Sequence, residues 1–157
     1  MVDAWGWRAK FGVITPSTNT IVQPHYDAIA PKGVTNHISR MHIPDDPVES
    51  DDDFDELILR IDAAIEDSVD RVLTCRPDHL ILGISAESIW GGGSEPAKKI
   101  EERIKARPGA EHIGITQAAT ALPAALAALG DIKNIAILCP YYPVAIPHLE
   151  AFADEFG

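Results

Sequence analysis

Two short polar stretches hold most of the side chains able to do chemistry. Pro16-Ser17-Thr18-Asn19-Thr20 supplies hydroxyls and an amide in succession, at the end of the apolar run Phe11 to Thr15. Ser85-Ala86-Glu87-Ser88-Ile89-Trp90 follows a second apolar run, His79 to Ile84, and leads into Gly91-Gly92-Gly93. Neutral donors placed where a buried strand ends, beside the free N–H groups of a following helix, suit a carboxylate ligand. The first stretch also fits plain helix capping, since Ser, Thr and Asn are ordinary cap residues. One cap needs one such residue, and here there are four. In the second stretch the glycine triplet lets backbone approach a ligand and Trp90 can wall off water, although the same residues suit a flexible surface turn.

Other chemistries find less support. No GxGxxG follows the first apolar run and no GxxxxGK[ST] occurs, so a nucleotide-binding flavodoxin-like domain rests on element order alone. Histidines at 25, 37, 42, 79, 112 and 148 lack the short spacing of a metal-binding helix, and no metal is expected. Cys75 sits between a helical pattern and Arg76-Pro77, and Cys139 lies in an apolar run, where a thiol behaves as a small hydrophobe.

The elements that must position these residues alternate between strand and helix. Phe11 to Thr15, His79 to Ile84 and Ile135 to Cys139 are continuously apolar, as in strands covered on both faces of a parallel sheet. Weaker strands are expected at 36–43 and 112–116. Phe54, Leu57, Ile58, Ile61, Ile65, Val69, Val72 and Leu73 recur at helical spacing after Asp51-Asp52-Asp53, whose charges favour a helix amino terminus. Further helices are expected over 95–106, 120–129 and 147–156, with Gly130 stopping the alanine-rich one. The fold class is therefore α/β, a Rossmann-like parallel sheet flanked by helices. Residues 1–117 make a first lobe and 118–157 the start of a second, apparently truncated one, with the alanine-rich helix as the hinge.

The string Phe11-Gly12-Val13-Ile14-Thr15-Pro16-Ser17-Thr18-Asn19-Thr20 resembles the amino-terminal motif of maleate cis-trans isomerases and the related arylmalonate decarboxylases, in the aspartate/glutamate racemase superfamily. The likeness continues through Asp78 to Gly93 and Ile135 to Tyr142. It implies two lobes facing each other across a cleft, with cofactor-free chemistry at carbon beside a carboxylate. Racemases and isomerases of this group use one cysteine from each lobe. Ser85 stands at the position of the first, and the second would lie beyond the end of this chain. The resemblance implies substrate contacts from Pro16, Ser17, Thr18, Asn19, Ala86, Glu87, Ser88 and Tyr141, with Ser85 and Asn19 the candidate catalytic residues. Ala86 and Glu87 depart from the hydroxyl pair expected there and count against arylmalonate itself. A hydroxyl without a neighbouring base is a poor nucleophile, so Ser85 is expected to contact substrate. Two readings follow: a cofactor-independent isomerase or decarboxylase of small dicarboxylic acids, and a non-catalytic carboxylate-binding or assembly module without the thiols.

Composition narrows the partners. At 157 residues with 46% hydrophobic content the chain can bury a sizeable core, and a net charge of -11 repels phosphate backbones and anionic lipid. Neither nucleic acid nor a membrane is expected as partner. No apolar run approaches the roughly 20 residues that span a bilayer, and two cysteines form no secreted disulfide framework, so a soluble, cytoplasmic protein is expected. A partial second lobe exposes sheet edges and apolar helix faces, which predicts a homo-oligomer. Light scattering at micromolar concentration should report a mass above 17.0 kDa, and a clean monomer would contradict the expectation.

Overall fold

The apolar run near the amino terminus does become the centre of a sheet. A computed structural model describes residues 3–92 and 94–155; of the glycine triplet Gly93, and of the last expected helix Phe156, lie outside the described residues. Four strands form a parallel sheet in the order β2-β1-β3-β4, with β1 at Ala9–Pro16, β2 at Val34–Met41, β3 at His79–Leu82 and β4 at Gly114–Thr116. β1 pairs with β2 from Ala9↔Val34 to Pro16↔Met41, and with β3 from Phe11↔His79 to Ile14↔Leu82. Parallel neighbours require crossover connections, and helices supply them. These are α1 (Val22–Ile29), α2 (Asp51–Ala63), α3 (Ile65–Leu73), α4 (Ala86–Ile89) and α5 (Glu95–Lys105), followed after β4 by α6 (Ala118–Leu129) and α7 (Ile146–Asp154).

Successive strand residues face opposite sides, so β1 and β3 need cover on both. Ile14, Leu80, Leu82 and Met41 pack with Ile61, Ile65, Val69, Val72, Ile100 and Ile104 in the main core. Val13, pointing the other way along β1, is also fully buried. The helical pattern after the acidic cluster divides at Ala64, whose N–H reaches the carbonyl of Ile61 at 3.0 Å, a tighter turn than the α-helix makes. That break lets Ile58 and Ile61 on α2, and Ile65, Val69 and Val72 on α3, all remain buried. Polar ties clamp the outer side of this layer. Arg103 on α5 bonds Glu66 at 2.6 Å and Asp62 at 2.7 Å, and Arg107 bonds Asp70.

Several boundaries differ from expectation. α1 was legible only as a helix start after Asn19, because it is eight residues long and none of them is fully buried. Ser85 to Ile89, open between loop and turn, contains α4, whose four residues are all buried. The expected strand over 135–139 does not form. Residues 131–140 run without regular structure, with Ile135 and Ile137 about half exposed and Leu138 at 95%. A strand needs a ladder partner for its N–H and C=O groups, and among the described residues none lies beside this segment. Its apolar composition suits two-sided cover that the described residues do not supply.

Ile104 is fully buried at the point where α5 meets the main core. Ile104→Ala should lower the unfolding free energy by about 2–5 kcal/mol. The midpoint of urea denaturation reads this, and an unchanged midpoint would mean that α5 is not seated on the sheet.

Candidate functional site

The strand order turns around between β1 and β3. From β1 the chain crosses outward to β2, then returns over β1 to β3 and continues to β4 on the other side. At such a switch the connections leave the carboxyl ends in opposite directions and open a crevice between them. A cavity of about 670 Å³ lies there, lined by the ends of β1 and β3 and by parts of α1, α2, α4 and α6.

The first loop is held from both sides. Ser17 donates its N–H to the Met41 carbonyl at 2.8 Å, and its Oγ accepts the N–H of Ile43 at 3.0 Å. The Asn19 side chain accepts the N–H groups of Ile21 and Val22 at 2.9 and 2.8 Å, fixing the entry to α1. Arg40, near the end of β2, donates to the carbonyls of Ser17 and Asn19 at 3.3 and 2.9 Å. The capping alternative is thus correct for the Asn19 oxygen. Its Nδ2 has no partner among the described residues, and Asn19 lines the cavity.

The second loop starts where β3 meets β1. Gly83 donates to the Ile14 carbonyl at 2.7 Å, and Thr15 Oγ1 donates to the Gly83 carbonyl at 3.3 Å. A β-carbon on Gly83 would stand 2.8 Å from Val22 Cγ1, so the close approach of α1 requires glycine. Ser88, fully buried, donates to the Ser85 carbonyl at 3.0 Å and accepts the Ala119 N–H at 3.3 Å, tying α4 to the start of α6. Ser85 Oγ shares a short hydrogen bond with the hydroxyl of Tyr141. Tyr141 arrives from far along the chain and is held by aromatic contact: Phe54 lies 5.8 Å from its ring, 5.7 Å from Tyr142 and 5.4 Å from Trp90. The Tyr142 hydroxyl donates to the Val48 carbonyl at 2.5 Å.

Of the residues singled out in the sequence, Pro16, Thr18, Asn19, Ser85, Ala86, Glu87 and Tyr141 all line this one cavity. Ser17 and Ser88 do not; their hydroxyls brace the two loops. Tyr26, Thr116 and Gln117 line it unforeseen. Thr116 and Gln117 are polar residues at a strand end, the signal that found the other two loops, whereas Tyr26 sits on the unread α1. Cys75 and Cys139 are both outside the lining, and burial pushes the Cys75 thiol up. Among the described residues no group of three His, Cys, Asp or Glu is placed to hold a metal ion, and no helix is long and apolar enough to cross a membrane.

Among the described residues that line the cavity there is no Lys, Arg or His. Its one carboxyl group, Glu87, is 5% exposed, and burial pushes its pKa up to about 7. Its own backbone N–H opposes the rise and the charge of Asp62 adds to it. Burial also pushes the Tyr26 hydroxyl up.

These features define a class: a Rossmann-like α/β lobe whose neutral hydrogen-bond donors gather at the turn-around point of a parallel sheet. Solved structures make the fold more particular, because the chain folds as maleate cis-trans isomerases do. A cysteine-to-serine variant of the Nocardia farcinica maleate cis-trans isomerase, with a covalently bound succinylcysteine intermediate, matches with a TM-score of 0.74 at 21% identity. That match covers 92% of this chain and 58% of the Nocardia chain. The maleate isomerase Iso of Pseudomonas putida S16 gives 0.72 at 21% identity, over 94% and 60%. A cysteine-to-alanine variant of the Pseudomonas enzyme with maleate gives 0.71 at 23% identity, over 94% and 58%. The chain therefore spans about three fifths of the length of these isomerases. No protein-family model and no curated protein matches the sequence.

The elevated pKa of Glu87 is a statement about stability. A carboxyl raised in the folded state binds its proton more tightly there than in the unfolded chain, so stability is fullest below the unfolded value of 4.5 and is lost as pH rises through about 7. The loss should approach roughly 3 kcal/mol at most. Thermal unfolding across this window should show the decline for the wild type and a flatter profile for Glu87→Gln; equal profiles would place the group in water.

Proposed function

We propose that the cavity binds a small dicarboxylic acid of the maleate or substituted malonate type, and that the chain forms the carboxylate-binding part of a cofactor-independent isomerase or decarboxylase. The observation that carries this reading is the convergence of Asn19, Ser85 and Tyr141 on one cavity at the carboxyl ends of β1 and β3. Support for the ligand class comes from the maleate in one matching structure and the succinylcysteine in another. Membership of the maleate isomerase group, rather than fold alone, belongs to the same proposal.

The chemistry follows from neutral donors in a site walled by Phe54, Leu57, Ile58 and Ile61. Asn19 Nδ2 and the Ser85–Tyr141 hydroxyl pair offer N–H and O–H groups to carboxylate oxygens. When a malonate loses carbon dioxide, the C–C bond breaks and its electron pair passes into the remaining carboxylate as an enediolate; a proton then returns to carbon. Donors fixed before the reaction favour the species with more charge on oxygen, commonly the largest source of rate enhancement. Isomerisation instead needs a nucleophile to add to the double bond, allow rotation and leave. Ser85 stands at the cysteine position of the resembling family, but its hydroxyl is engaged with Tyr141 and no base adjoins it in the bonds described.

That missing thiol favours a second reading, a carboxylate-binding or assembly module without turnover. One experiment separates the two. The protein is mixed with maleate, phenylmalonate and succinate, conversion is followed by proton NMR, and binding is followed by thermal shift. Conversion of maleate or phenylmalonate supports the enzyme, and saturable stabilisation without conversion supports the module. Absence of both with every diacid defeats the proposal. Asn19→Ala should weaken binding about tenfold, the loss of one charge-assisted hydrogen bond.

A further inference from the structure

Among the described residues, none that lines the cavity proposed to hold an anion is Lys, Arg or His. Pro16, Thr18, Asn19, Tyr26, Ser85, Thr116, Gln117 and Tyr141 are neutral side chains of its lining, and the one acidic group is Glu87. Glu87 lies in the first turn of α4, two positions after Ser85, and only 5% of it is exposed. An ionised Glu87 beside an ionised ligand would place like charges together in a largely apolar enclosure. Resting on the carboxylate-binding reading above, we infer that Glu87 meets the ligand in its protonated form and donates its O–H to one carboxylate of a diacid, so that the site binds an anion together with a proton.

Apart from its own backbone N–H, which favours the ionised form, the surroundings of Glu87 favour the neutral acid. α2 turns Phe54, Leu57, Ile58 and Ile61 toward the cavity, and the α2 charge that acts on Glu87 is the negative Asp62, which raises its pKa. That aspartate is itself held by Arg103, which bonds it at 2.7 Å and also bonds Glu66, so the guanidinium is spent on the outer face. α5 packs Ala97 and Ile100 inward, and α6 has no titratable residue along its length. From α7, His148 stacks on Trp90 at 4.4 Å and accepts the Gly91 N–H at 3.1 Å, while Glu155 accepts the N–H of Ser94 at 2.9 Å. α1 brings the Tyr26 phenol. With burial holding the free-state pKa near 7, part of the population is already protonated at neutral pH, and an incoming carboxylate raises it further. An O–H donated to a carboxylate is short and strong, and it offers one donor to one acceptor. Asn19 and the Ser85–Tyr141 pair take the first carboxylate and Glu87 the second, which makes the site selective for diacids over monoacids.

Isothermal titration with succinate tests this between about pH 7 and pH 9, above the ligand's own titration, in two buffers of different ionisation heat. The wild type should take up close to one proton per ligand at the upper end, with affinity falling about tenfold per pH unit above the free-state pKa. Glu87→Gln keeps a donor of the same shape, so it should bind with affinity constant within about twofold across the range. Carbon-13 NMR of labelled glutamate gives a second readout on the unaltered protein: succinate should move the Glu87 titration upward. A wild-type affinity that ignores pH, or a Glu87 titration that moves downward on binding, overturns the inference while the binding reading stands. Absence of succinate binding even near pH 6 removes both.

Discussion

The pairing of β1 with β3 is the constraint on which everything else hangs. Those two strands start connections that leave in opposite directions, and only their adjacency brings residues almost seventy positions apart to the same rim. The contact is close because Gly83 has no side chain: the Gly83 N–H reaches Ile14 and Val22 of α1 lies against the place a β-carbon would take. The crevice then inherits the order of the sheet. Each loop is pinned by hydrogen bonds, Ser17 to Met41 at the end of β2 and to Ile43 just beyond it, and Ser88 to Ser85 and to Ala119 of α6.

The polar residues divide into those that build the rim and those that face its opening. Serines 17 and 88 use their hydroxyls within the fold, whereas Thr18, Asn19, Ser85 and Tyr141 stand at the cavity wall. Asn19 does both, since one end of its amide caps α1 and the other end is available. Under the proposed function this double use has a physical advantage: the capping bonds fix the amide plane, so its donor would be aimed before a ligand arrives and little rotamer freedom would be lost on binding. Arg40 extends the same logic without entering the cavity, holding two carbonyls of the loop and giving its charge to backbone.

How much of this was legible in the sequence depended on whether an element's neighbours were local. The strands at the centre announced themselves, because Val13 and Ile14, or Leu80 and Leu82, must be apolar to lie between two helical layers. The strand-end rule found both loops, and Thr116 and Gln117 satisfy the same rule at the end of the weaker strand expected over 112–116. α1 escaped because none of its eight residues is fully buried, and α4 because four residues are too few to show a period. Ile135 to Cys139 failed for the opposite reason: its composition matches a covered strand, but composition cannot say whether the cover is present. Among the described residues nothing covers this stretch, and Tyr141 and Tyr142 are held by Phe54 and Val48 rather than by a ladder.

On the proposed carboxylate-binding reading, the net charge of -11 is no obstacle to an anion site. Net charge acts over distances that salt screens, while a cavity acts at contact, where a few fixed N–H and O–H groups outweigh the distant field. Neutral donors have a further consequence for selectivity. A lysine or arginine would attract any anion, inorganic ones included, and its long side chain would adapt to them. Asn19, Ser85 and Tyr141 are short or rigid, and they are fixed by α1, α4 and the Phe54 cluster respectively, so under the proposed function their spacing would discriminate by shape. Tyr141 is the member whose place depends on the most remote contact. If Phe54 did not hold its ring, Ser85 would lose its partner and the donor set would open toward water, which makes the aromatic cluster as much a part of the site as the hydroxyls it orients.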